Sequence, residues 1–423
     1  MNRRNFLWIA AGSGLALALG LKPSDRGAAY STYFETLNRE LRAHGPGIPT
    51  LVVDLDRLDR NIRALTGDLK TGLDYRIVAK SLPSPDLIGY IMQRARTRKV
   101  MVFHRPFIQR LADAFPEVDM LVGKPLPVSS ARQFYTAFTG AYSFDPSRQL
   151  QWLIDSPARL QQYHSLARDL AVKLRLNLEI DVGLHRGGID HPEVLTQMIA
   201  TILSDPAHLE FAGLMGYDPH VVKIPGILKK PERAYAESQN RYQEFIASIR
   251  KRFPDIQIDR LCLNGAGSPT VALHKTGTII NDLSAGSCLV KPVDFDIPTL
   301  TTFEPAAYIA APVLKKLKGT SLPAAEFARD FFGWWDPNQA QTFFMYGGKW
   351  MARYESPPGL QNNGLYGHST NQQMVNGSHG VTLEVDDHIF LRPNQSEFVF
   401  LQFGALLASR GGRIVARWPV LKQ

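Results

Sequence analysis

Lys80 is the side chain whose neighbours best suit it for covalent chemistry. It lies in Tyr75-Arg-Ile-Val-Ala-Lys-Ser-Leu-Pro-Ser-Pro85. Alternation from Tyr75 predicts a strand with Arg76, Val78 and Lys80 on one face. Ser84 and Pro85 then read as a helix N-cap and first helical position. Lys80 thus falls between a strand and a helix, at the edge of a parallel α/β sheet where chemistry is done. A lysine pointing into a pocket there can form a Schiff base with a carbonyl. Other reactive groups follow at other predicted strand ends. Arg186, after Glu179-Ile-Asp-Val-Gly183, can donate to an anionic oxygen; its alternative is a surface ion pair. Tyr217 closes Gly213-Leu-Met-Gly-Tyr217, and His220 follows it. Gly265-Ala-Gly267-Ser268 and Gly286-Ser287 are small-residue loops whose backbone N–H groups can cradle a phosphate. Each loop alone is a weak signal, because Gly-rich turns are common.

These residues need a scaffold that brings many strand ends to one place. Strands are predicted at Leu51–Asp54, at the Lys80 stretch, and at Val100, Asp119, Gln151, Leu174, Leu209 and Leu261. Most are followed by a helical pattern, the cadence of repeated βα units. Eight strands between Thr50 and about Gly286 predict a (β/α)8 TIM barrel. The doubly wound sheet is the rival, and the first strand lacks the Gly-x-Gly-x-x-Gly turn that such a sheet uses for dinucleotides. A lead-in helix from Thr32 to Ala43 is predicted, with Thr32 and Glu35 as a capping box. After Ser287 the texture changes to strands separated by Gly, Pro, Asn and Asp turns. Tyr308–Lys315, Gln341–Tyr346, Gly380–Leu391, Ser396–Leu401 and Gly412–Val420 predict a mainly β domain, with 362–377 as a polar loop. The expected division is 1–29, 30–288 and 289–423.

The chain has 423 residues, 44% of them hydrophobic and 21% charged, enough for two or three domains with a sizeable core. Net charge is +9, yet Lys and Arg are spread along the chain. No basic run with interleaved aromatics and no zinc-finger spacing points to nucleic acid. Arg3-Arg4-x-Phe6-Leu7, followed by a short Gly-interrupted apolar run, reads as a twin-arginine export signal. Gly27-Ala28-Ala29 is the candidate cleavage stretch. That predicts a periplasmic or cell-envelope protein with no stable membrane span in the mature form. Cys262 and Cys288 are too few for a disulfide framework and are expected to be buried thiols.

An amine, an arginine, a tyrosine and a glycine–serine phosphate loop are the parts that pyridoxal 5'-phosphate requires. The sequence resembles the fold-type III pyridoxal-phosphate enzymes. The branch is that of D-threonine aldolase and the D-serine dehydratase-like proteins, beside the alanine racemase N-terminal domain. The resemblance rests on Pro49–Asp54, Arg76–Lys80, Glu179–Gly183 with Arg186-Gly-Gly188, Gly213–Tyr217, Asn264–Ser268, Ala285–Ser287 and Trp418-Pro-Val420. It implies Lys80 as the Schiff-base and catalytic lysine and Arg186 on the cofactor's phenolic oxygen. It places Tyr217 against the ring, with Gly265, Gly267, Ser268, Gly286 and Ser287 at the phosphate. One departure stands out. The branch carries Pro-Asn-His-x-Cys, or Asp for Cys, as a divalent-metal site in its C-terminal domain. Here the stretch is Pro393-Asn-Gln395-Ser-Glu397. An amide and one carboxylate are poor zinc ligands even if His379 assists, so no metal is expected. The resemblance implies a lyase acting on β-hydroxy D-amino acids by aldol cleavage or elimination. An amino-acid racemase or a non-catalytic binding protein is the alternative. The expected partner is a small D-amino acid, and a homodimer is expected.

Overall fold

The computed structural model describes residues 22–67, 69–138 and 143–422. The predicted export signal lies largely on residues 1–21, outside the described residues. The chain divides into two units. Among the described residues, the barrel unit holds those within 53–306, 395–406 and 417–422, and the β unit holds 22–52, 307–394 and 407–416. Both units are built from separated pieces of chain.

The strands are β1 (Thr50–Asp54), β2 (Asp74–Val78), β3 (Lys99–Val102), β4 (Asp119–Val122) and β5 (Leu150–Ile154). β6 (Leu174–Glu179), β7 (Leu209–Gly216), β8 (Cys262–Gly265) and β9 (Asp282–Ala285) follow. β2 to β9 pair in parallel and close into an eight-stranded barrel. The predicted barrel is present, but its membership is shifted. β1, read as the first barrel strand, belongs to the sheet of the β unit, and β9 completes the barrel. Burial explains the misreading, since β1 and β9 are each short and buried throughout, and periodicity cannot tell which sheet such a strand joins.

The helices follow local chemistry. Ser84 caps the helix Pro85–Ala95 by accepting from the Leu87 N–H at 3.5 Å, as expected. The helix Thr32–His44 starts where predicted, but Ser31 is its N-cap and no side chain caps it. Its Phe34, Leu37 and Leu41 bury against Val52, Tyr308, Phe390 and Leu407, the core of the β unit.

The β unit continues with β10 (Ala307–Lys318), β11 (Gln341–Tyr346), β12 (Ala352–Ser356), β13 (Gln361–Asn362), β14 (Gln372–Gly377), β15 (His388–Pro393), β16 (Ala405–Arg410) and β17 (Arg413–Pro419). The main path of its sheet is β13-β14-β11-β10-β1-β16-β17, with β15 pairing β10 and β12. Two expectations are corrected here. The polar stretch 362–377 contains β14, paired antiparallel with β11 from Gln341↔Gly377 to Tyr346↔Gln372. Its Asn376 is buried and donates to Thr342 Oγ1 at 2.9 Å and Thr320 Oγ1 at 3.1 Å, so polar composition did not mean solvent. Ser396–Phe400 is a short helix rather than a strand. Both cysteines are free thiols, as expected, but only Cys288 is buried; Cys262 is partly exposed. Among the described residues no helix is long and apolar enough to cross a membrane.

Candidate active site

The barrel interior explains how the strand ends are held. Arg76 is fully buried and grips Asp282 bidentately, Nε to Oδ1 at 2.8 Å and Nη2 to Oδ2 at 2.9 Å. Its Nη1 reaches Asp119 Oδ1 at 2.7 Å. Lys99 Nζ adds a contact to Asp282 Oδ2 at 3.0 Å, and Asn264 Nδ2 donates to Asp282 Oδ1 at 2.6 Å. Burial opposes the Asp282 charge, but Arg76, Lys99 and Asn264 together hold its carboxyl down at about 2. The network ties together β2, β3, β4, β8 and β9. Above it an apolar layer of Val78, Met101, Leu121, Leu153 and Met215 packs with Phe103.

At the C-terminal ends of the strands lies a cavity of about 270 Å³. Lys80 lines it, from a single 3-10 turn (Ala79–Ser81) that directly follows β2. Its Nζ stands 2.9 Å from Glu397 Oε2 and 4.9 Å from the Phe103 ring centroid. Arg186, Tyr217, Gly267, Ser268, Gly286 and Ser287 line the same cavity. The Arg186 guanidinium lies 5.0 Å from the Tyr217 ring centroid, and burial, partly countered by Arg186, pushes the Tyr217 phenol up. Asp181 shapes the turn ahead of Arg186 by accepting from the Gly183 and His185 N–H groups at 2.9 and 3.1 Å.

The two glycine–serine loops are clasped together. Ser268 Oγ accepts from the Gly286 N–H at 3.2 Å and the Cys288 N–H at 3.0 Å. Ser287 Oγ donates to Ser81 Oγ at 2.9 Å, tying one loop to the lysine turn. The glycines are sterically required. A Cβ at Gly267 would lie 2.6 Å from Tyr217 Cε2, and one at Gly286 would lie 2.8 Å from the Val78 carbonyl oxygen. Gly265 does not line the cavity. It ends β8, paired with Gly216.

Other expectations fare differently. His220 does not line the cavity; its Nδ1 is buried without a partner, and burial pushes its imidazole down. His379 is exposed and belongs to the β unit. Glu397, weighed in the sequence only as a metal ligand, is the ion-pair partner of Lys80. Among the described residues no group of three or more His, Cys, Asp or Glu is arranged around a metal position. Phe103 and Met215 also line the cavity and went unnoticed as site residues, because an apolar side chain at a strand end carries no chemical signature.

The site suits pyridoxal phosphate in the chemistry of its donors. It offers the Lys80 amine, one guanidinium, a tyrosine ring and two loops too crowded for a Cβ, all lining one cavity. The comparisons agree with this fold. The family described as alanine racemase, N-terminal domain, matches residues 53–291. No curated protein matches the sequence. Among solved structures, D-threonine aldolase from Filomicrobium marinum superposes with a TM-score of 0.68 at 17% identity, covering 89% of this chain and 97% of that one. D-threo-3-hydroxyaspartate dehydratase from Delftia sp. HT23 gives 0.66 at 16%, over 89% and 97%. Alanine racemase from Bacillus anthracis gives 0.66 at 14%, over 88% and 97%. The chain belongs to the alanine racemase N-terminal domain family, with the fold of the fold-type III pyridoxal-phosphate enzymes.

Proposed function

We propose that this chain is a pyridoxal-phosphate-dependent lyase acting on β-hydroxy D-amino acids. One observation carries the reading: the Lys80 amine, Arg186 and the two clasped glycine–serine loops share one cavity. Lys80 would hold the cofactor's aldehyde carbon, Gly267–Ser268 and Gly286–Ser287 its phosphate, Arg186 its ring oxygen, and Tyr217 would pack against its ring. Bound there, the cofactor supplies an electron sink for charge developing at the substrate's α-carbon. The protein supplies the proton chemistry. Glu397 Oε2, 2.9 Å from Lys80 Nζ, is within reach to take a proton from that amine or from a substrate hydroxyl beside it. A carboxylate in that position supports a lyase, in which the β-hydroxyl must give up its proton or leave. The Phe103 ring lies 4.9 Å from the amine, and Met215 lines the same cavity.

The experiment is a paired one. Protein loaded with pyridoxal phosphate gains a visible absorbance band that Lys80→Ala lacks, and borohydride fixes the cofactor to the wild-type chain alone. Products from β-hydroxy D-amino acids then decide the reaction: an aldehyde with glycine, or a ketoacid with ammonia, supports the lyase. Interconversion of enantiomers with neither product overturns it in favour of a racemase. Export by the twin-arginine route to the cell envelope and assembly as a homodimer complete the proposal; fractionation and sedimentation test them.

A further inference from the structure

The short helix Arg329–Trp335 of the β unit has the sequence Arg-Asp-Phe-Phe-Gly-Trp-Trp. Phe331 and Trp334 are 57% and 54% exposed, and Phe327 just before them is 87% exposed. The Phe331 and Trp334 rings lie 5.8 Å apart, and Trp334 and Trp335 6.5 Å, so they form one aromatic surface. Large aromatics left in water forgo the gain of burial, and a contiguous group of them marks a surface that meets something less polar.

A second observation says what that is. Lys22 Nζ lies 5.0 Å from the Trp334 ring centroid, so the chain enters the described fold at this patch. It is pinned there. Asn338 Nδ2 donates to the Ser24 carbonyl at 2.8 Å, and the Arg26 N–H donates to Asn338 Oδ1 at 2.9 Å. Ala28 N–H donates to the Pro358 carbonyl at 3.4 Å, and a Cβ at Gly27 would lie 2.1 Å from Ser378 Oγ. Upstream of Lys22 the sequence runs from Phe6 to Leu21 without a charged residue, with Arg3-Arg4 before it. That run is shorter than the ~20 residues a span needs, and a weak single attachment to a membrane becomes stable only with a second. Trp and Phe flanked by basic side chains are the composition of a membrane–water interface. The charges beside the patch in sequence are Lys22, Arg26, Lys318 and Arg329 with Asp25, Glu326, Asp330 and Asp336. Lys318 and Arg329 each stand 3.5 Å from Asp330, and the whole chain carries +9.

We propose that Phe327, Phe331 and Trp334 form a lipid-contacting patch by which the β unit of the uncleaved chain rests on a phospholipid surface, beside the point where residues 1–21 join the fold. The aromatic rings enter the headgroup boundary, and the +9 charge of the whole chain favours anionic lipid. The full chain tests this with vesicles of phosphatidylcholine containing phosphatidylglycerol. Cosedimentation is expected for the wild type and falls at least about tenfold in Phe331→Ser/Trp334→Ser, while the cofactor absorbance of that variant stays unchanged. The second readout is acrylamide quenching of Trp334, taken as the difference between the wild type and Trp334→Phe. Trp334 is expected to be quenched freely without vesicles and shielded with them. Shielding before vesicles are added, independent of protein concentration, means residues 1–21 cover the patch and overturns the proposal. Shielding that grows with protein concentration means a second copy covers it and overturns it likewise. Equal cosedimentation of wild type and double variant also overturns it.

Discussion

The Lys80–Glu397 pair concentrates the proposed chemistry in two side chains. Both are more than a third exposed, so the pair adds less than ~1 kcal/mol to stability. Glu397→Gln is therefore expected to melt within a few degrees of the wild type and to bind pyridoxal phosphate, yet to lose about 10²–10⁴-fold in kcat as an acid–base group would. Glu397→Asp should recover part of that loss. An unchanged kcat in the glutamine variant would leave Glu397 a bystander. A different carboxyl responds to pH. Glu179, at the end of β6, is pushed up to about 7 from 4.5, first by burial and then by Asp155, with Arg186 opposing. A carboxyl held high in the fold ionises more readily in the unfolded chain. Its destabilising effect is absent below about pH 4.5 and grows until about pH 7. Glu179→Gln should then gain stability over the wild type as pH rises from 4 to 8, by up to on the order of 3 kcal/mol. Urea midpoints at the two pH values measure it, and a constant difference would contradict it.

At the scale of elements, the loops after β8 and β9 matter because each is fitted to a neighbour. Gly286 packs its α-carbon against Val78, the last residue of β2 and two before Lys80. In Gly286→Ala the new methyl meets the Val78 carbonyl, a backbone atom that can move only with the strand. Overpacking of this kind costs about 1–3 kcal/mol. The expected result is a lowered melting temperature and at least about tenfold weaker binding of pyridoxal phosphate, read from the absorbance titration. The serine clasp belongs to the same design, because Ser268 orders the Gly286 and Cys288 amides before any ligand arrives. The glycine–serine pattern was legible in the sequence. That Ser268 would bind the other loop was not, since the two are 18 residues apart in the chain and meet only across neighbouring strands.

At the scale of the molecule, the barrel is pinned from inside by charge. Arg76 reaches β4 and β9 from β2, and burial without its carboxylate partners would forbid it a charge. Arg76→Met leaves Asp282 and Asp119 facing each other with Lys99 as the remaining cation. Loss of about 3–5 kcal/mol is expected in denaturant unfolding, as for one partner removed from a buried pair. Adding Asp282→Asn should return part of it; no recovery would mean that packing rather than charge sets the cost. The two units also follow from chain-wide burial. β1 and the helix Thr32–His44 join the β sheet and its core although more than 250 residues separate them from β10. Residues 395–406 return from the β unit to the barrel unit, carrying Glu397.

The sequence by itself determined the barrel, the lysine at a strand end, the arginine, the tyrosine and the small-residue loops. All of these are local patterns, written in periodicity, capping residues and glycine, and folding preserves them. Tertiary structure alone decided which buried strand joins which sheet, that Gly265 and His220 do not line the cavity, and that Glu397 meets Lys80. Those facts depend on which surfaces close on one another across hundreds of residues. The free energy of that closure is a property of the packed chain and leaves no periodic trace in the order of its residues.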